Sequence, residues 1–99
     1  MLKISKRGIG NKLTVALDGR LDTAAAPDLE KDLLEGLQGV TDLNIDMGKL
    51  TYISSAGLRV LLAAQKIMDV QGTMVISNSS AELVETFEDT GFIDILNLV

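Results

Sequence analysis

An α/β domain, with a mixed sheet of four to five strands covered by three to four helices, is predicted by three features of the sequence. Apolar and polar residues alternate in short runs, at Leu13, Val15 and Leu17 and again at Leu43, Ile45 and Met47. Elsewhere apolar residues fall at helical spacing, as at Leu29, Leu33, Leu34 and Leu37. Glycines close the helical stretches, so the chain reads β-β-α-β-α-β-α-β, its later strands parallel through crossovers. The 99 residues leave room for one core, and residues 1–99 are expected to be one domain.

The first strand is marked by Leu2 and Ile4 alternating with Lys3 and Ser5. The stretch from Arg7 to Lys12, with Gly8 and Gly10, reads as a hairpin turn into the strand of Leu13, Val15 and Leu17. Asp22 or Thr23 is placed to cap the first helix, and Pro27 suits its first turn, where a missing N–H costs nothing. Asp28 and Glu30 suit the positive end of the helix dipole, and Gly36 or Gly39 ends the helix. The strand of Leu43, Ile45 and Met47 is expected to stop at Gly48. A nearly all-apolar helix follows from Leu58 to Met68, closed by Gly72 and expected to be packed on most of its circumference. Met74, Val75 and Ile76 form a short strand, and Ser79 with Glu82 forms a capping-box pair opening a helix that buries Leu83, Val84 and Phe87. Ile93, Ile95 and Leu96 add a last short strand.

Composition narrows the function. Hydrophobic residues make up 46%, but only Tyr52, Phe87 and Phe92 are aromatic, so the core is aliphatic. Cysteine and histidine are absent, which removes thiol chemistry, disulfides and metal sites built on imidazole or thiolate. No metal or cofactor is expected. The net charge is −5 and unevenly spread: residues 1–20 carry five basic groups and one acid, while from Asp69 onward there are six acids and no base. Such a surface repels phosphate backbones, so nucleic acid is a poor partner. No apolar run approaches the ~20 residues of a membrane span, and the basic start lacks the features of a secretory signal. A soluble cytosolic domain is expected.

Chemistry concentrates in Tyr52-Ile53-Ser54-Ser55-Ala56-Gly57-Leu58, which joins a strand to a helix and puts Ser54 and Ser55 at its N-terminus. On the residues alone two readings stay open. A serine there caps the helix while Gly57 allows close packing; alternatively the free N–H groups meet an anion, including a phosphoryl group on one of the serines. A serine nucleophile has no histidine to activate it, and the surroundings are not a G-x-S-x-G elbow, so an enzyme is not expected. Nor is there a phosphate-binding glycine loop.

The run Leu43-Asn44-Ile45-Asp46-Met47, then Tyr52 to Leu58, resembles the signature of STAS domains, and especially the small bacterial anti-sigma factor antagonists. Gly19-Arg20-Leu21-Asp22 followed by a Pro-bearing helix is similar to their second characteristic element. The likeness spans nearly the whole chain. It implies a STAS-like fold and a partner switch. The unphosphorylated antagonist binds an anti-sigma factor that is also a serine kinase and so frees the sigma factor. Phosphorylation breaks that complex, and a serine phosphatase resets it. Aligning Gly57-Leu58 with the family pattern Asp-Ser-(Ser/Thr)-Gly-Leu puts the phosphoacceptor at Ser55, with Ser54 the lesser alternative. Asp22, Thr23, Ser54, Ser55, Gly57, Leu58 and Arg59 become the expected partner-binding residues. Two positions depart from the pattern: Ser54 replaces the Asp, and Ala56 replaces the second hydroxyl. The same resemblance admits another binding role, as the accessory subunit of a lipid-transport ABC complex.

Overall fold

The computed structural model describes residues 1–99, with elements β1 (Leu2–Ile9), β2 (Lys12–Leu21), α1 (Ala26–Glu35), β3 (Asp42–Ile53), α2 (Ser55–Gln71), β4 (Thr73–Ser77), α3 (Ala81–Thr90) and a closing 3₁₀ turn, Phe92–Asp94. It is a single α/β domain with four strands and three helices. Strand order is β1-β2-β3-β4, with β1–β2 antiparallel and β2–β3 and β3–β4 parallel. The sheet is therefore mixed, as expected from the hairpin followed by helical crossovers.

Parity decides which side of the sheet is covered. Val15, Leu17, Leu43, Ile45, Met74 and Ile76 are buried, while their neighbours Thr14, Ala16, Asn44, Asp46, Val75 and Ser77 are only half covered. The buried set meets Leu29 and Leu33 of α1, Leu61, Ala64 and Met68 of α2, and Leu83 and Phe87 of α3 in one core of 23 residues. Phe87 is the sole aromatic in that core, which is otherwise aliphatic as the composition requires. The opposite sheet face is polar.

Five local expectations are corrected. The hairpin turn is shorter than Arg7–Lys12: β1 runs to Ile9 and turns only at Gly10-Asn11, where Gly10 has φ of 62°. β3 does not stop at Gly48 but continues to Ile53, because two bulges absorb extra residues. Pairing steps from Ala16↔Asp46 to Asp18↔Lys49, and again from Gly19↔Leu50 to Arg20↔Tyr52. Each step shifts the inward parity, so the buried series runs Leu43, Ile45, Met47, Leu50, Ile53. α2 is less enclosed than expected, since helices cover only one sheet face; Leu62, Ala63 and Ile67 are half-buried and Val70 is 89% exposed. The α3 cap is Ser80, whose hydroxyl accepts from the Leu83 N–H at 3.2 Å, rather than Ser79. In place of a last strand there is the 3₁₀ turn and one parallel bridge, Ile76↔Leu98, laid along the edge of β4. No helix is long and apolar enough to cross a membrane.

The first bulge is held by a small polar knot. Asp46 Oδ1 accepts from the Gly48 N–H at 2.9 Å and from Asn78 Nδ2 at 3.0 Å. These bonds favour the carboxylate and hold Asp46 below its ordinary pKa of 3.8, the Asn78 contact contributing most. Asn78 itself sits at φ of 59° between β4 and α3. A group whose pKa falls on folding stabilises the fold above its unfolded value and loses that contribution as pH drops through the folded one. Asp46→Asn removes this dependence, so chemical-denaturation midpoints measured below about pH 4 should fall less steeply with acidification than in the wild type.

Candidate functional site

Two strand-to-helix junctions meet at one end of the sheet. β2 ends at Leu21 and enters the α1 turn; β3 ends at Ile53 and enters α2. Leu21 and Ile53 are register partners, and the Ser54 N–H donates to the Leu21 carbonyl at 2.8 Å, locking the two exits together. Asp22 then accepts twice: its Oδ1 from the Ala25 N–H at 2.9 Å and its carbonyl oxygen from the Ala26 N–H at 3.0 Å. It shapes the turn before α1 instead of capping the helix, whose N-cap is Ala25, and neither Asp22 nor Thr23 is that cap. The first turn of α1 still carries Pro27, as expected.

The two serines have different environments. Ser54 is the N-cap of α2: it is 7% exposed, its backbone is extended (φ −90°, ψ 170°), and its Oγ accepts from the Gly57 N–H at 3.1 Å. Ser55 is the first helical residue, is exposed, and its hydroxyl has no partner within the chain. Serine and aspartate are both preferred N-cap acceptors, although they differ in charge.

Gly57 sets how closely α2 approaches the sheet. A Cβ there would lie 2.6 Å from Leu21 Cγ and 3.0 Å from Ile53 Cγ1, both side chains of the core. Leu58, one position on, is also buried. Gly57 and Leu58 therefore pack inward and hold the serines in place, while Ser55 and Arg59 face solvent. Arg59 lines a groove of about 290 Å³ between α1 and α2 together with Thr23, Pro27, Glu30 and Ala56. Asp22 borders a separate, more apolar hollow of about 370 Å³ with Leu2, Ile4, Ala25 and Asp28. Asp22 borders one of these hollows, Thr23 and Arg59 the other, Ser54, Gly57 and Leu58 are buried beneath, and Ser55 is exposed outside both hollows. A larger hollow of about 400 Å³ on the open sheet face, bordered by Ser5, Asp18, Asp46, Lys49 and Asn78, includes none of them.

One feature of this rim escaped the sequence reading. Arg20 and Tyr52 are cross-strand partners, and the guanidinium lies 4.3 Å from the ring centroid. Tyr52 is 40% exposed. Only the bulged register brings the two together, so simple alternation gives no sign of the pair.

Over residues 3–99 the sequence matches the STAS domain family. The chain belongs to this family. It is 38% identical over 96 residues to BtrV, a candidate anti-sigma factor antagonist of Bordetella bronchiseptica, covering 95% of this chain and 83% of that protein. The anti-sigma-B factor antagonist of Bacillus subtilis is 30% identical over 89 residues, covering 89% of this chain and 82% of that one. The phosphorylated form of the Bacillus cell fate determinant SpoIIAA superposes with a TM-score of 0.75 at 17% identity, covering 100% of this chain and 91% of that one. The two serines at the start of α2 are separable by substitution. Ser54→Ala removes a buried cap and should cost about 1 kcal/mol in urea unfolding, whereas Ser55→Ala should stay within about 0.5 kcal/mol of wild type. Gly57→Ala should lower stability by about 1–3 kcal/mol despite alanine's better helix propensity, because its methyl meets Leu21; thermal melts should show a drop of several degrees.

Proposed function

We propose that this STAS domain is an anti-sigma factor antagonist. Its unphosphorylated form binds a serine-kinase anti-sigma factor and releases the sigma factor. Phosphorylation of Ser55 ends that binding, and a serine phosphatase restores it. The observation that carries the reading is the division of labour between the serines: Ser54 is committed to the cap, and Ser55 is exposed with an unused hydroxyl. The relatives support the partner class, since both curated proteins are described as antagonists of anti-sigma factors. The SpoIIAA structure in its phosphorylated form supports a covalent switch in this fold.

The chain's role in the switch is to be a substrate and a surface. It needs no catalytic base, and it has no histidine to supply one. A partner that packs against a neutral hydroxyl meets about −1.5 to −2 charges after phosphorylation. Burying that charge without a partner costs several kcal/mol, and about 2.7 kcal/mol already weakens binding roughly a hundredfold. Asp22 and Glu30 on the neighbouring α1 segment add negative charge on that side of the junction, opposing the positive end of α2. No refolding is required.

The test is a binding and labelling series with the host's anti-sigma factor. Incubation with that kinase and Mg-ATP should place one phosphate on Ser55 by peptide mapping, and Ser54→Ala should still be labelled. Ser55→Ala should bind the anti-sigma factor but resist switching, and Ser55→Asp should bind at least about tenfold more weakly. Label on Ser54, or copurification with a transporter ATPase in place of an anti-sigma factor, overturns the proposal.

A further inference from the structure

Ser55 and Arg59 lie four residues apart within α2, an uninterrupted helix from Ser55 to Gln71. Residues at this spacing are surface neighbours, with Cβ atoms about 5–6 Å apart. Helical side chains lean toward the N-terminus, so a long side chain at position 59 covers the turn that carries position 55. Both residues are exposed. The chain's one salt bridge joins Lys6 to Asp32, so Arg59 has no ionic partner, even though Glu30 borders the same groove. An acid preceding a base by four residues is also the favourable order along a helix.

We infer that Arg59 is a built-in counter-ion for a phosphoryl group on Ser55. Once the group is attached, the guanidinium reaches back one turn and holds it on its own helix. This rests on the reading of Ser55 as the phosphoacceptor and adds a residue of this chain that responds to the modification. The planar fork of arginine matches two phosphate oxygens at once, which a lysine cannot do. The charged groups around the position are few. Asp22 and Glu30 on the α1 side oppose a phosphate dianion, and Arg20 is the other cation near the junction, already stacked on Tyr52. Pairing in cis satisfies the phosphoryl before any partner's cation can reach it. A phosphatase must then draw the group away from Arg59 before hydrolysis.

The test installs phosphoserine at position 55 during translation and follows its second ionisation by phosphorus NMR. Arg59 favours the dianion, so the wild-type pKa should lie lower than that of Arg59→Gln, by roughly 0.3 unit or more. Arg59→Lys should fall between the two, and Arg20→Gln should titrate as wild type. Unphosphorylated Arg59→Gln should melt as wild type does, which separates pairing from folding. Identical titration of wild type and Arg59→Gln, or a larger shift from Arg20→Gln, overturns the inference. Because translation supplies the phosphoserine, a kinase that never labels Ser55 counts against the proposed function alone, and a flat titration counts against Arg59 alone.

Discussion

A close contact between helix and sheet is the one on which the site depends. Gly57 lies against Leu21 and Ile53 with no room for a Cβ, and the Ser54 N–H donates to Leu21 at 2.8 Å. Together they fix where α2 begins and join the exits of β2 and β3. Everything exposed at this end of the molecule hangs from that anchor: the Asp22 turn, the Ser54 cap, the Ser55 hydroxyl and the Arg59 side chain. Interiors are close-packed, so a one-methyl change at Gly57 must displace a neighbour, and the junction shifts as a unit.

Much of this was legible in the sequence because one physical rule acted alone at each place. Leu43, Ile45 and Met47 alternate because a one-sided sheet buries every second residue, and Leu29 and Leu33 fall on one helical face because α1 lies on that sheet. Pro27 marked the first turn of α1 since nothing else there needs its N–H. The candidate site was legible as a segment; the residues alone left open which serine caps the helix, and only the family resemblance singled out Ser55. Either Ser54 or Ser55 satisfies a capping rule; the choice is made by how deep Gly57 must sit.

Where the sequence misled, two rules competed. Alternation in β3 breaks at Gly48 because of a bulge, and a broken alternation is indistinguishable from a strand's end until the register with β2 is known. Ser79 and Ser80 both offer a capping hydroxyl, and the burial of Leu83 and Phe87 selects the second. Asp22 has the chemistry of a cap but is used one turn early, where its side chain closes a loop. Ile93 and Ile95 are apolar enough for a strand, yet the β4 edge takes up Asn97–Val99 instead, through bonds to both sides of the Ile76 peptide.

The position of Ser55 at the first residue of a helix also bears on how an enzyme can find it. Its backbone is already helical, while its predecessor Ser54 is still extended. A short peptide of the same sequence does not hold such a shape, since an isolated first turn forms unfavourably in water. Any kinase or phosphatase that acts on Ser55 therefore reads relief: the slope of α2, the turn at Asp22 and the groove beside Arg59. Fidelity in such a circuit is inherited from tertiary structure, and two domains with the same local serine motif can still be strangers to each other's enzymes.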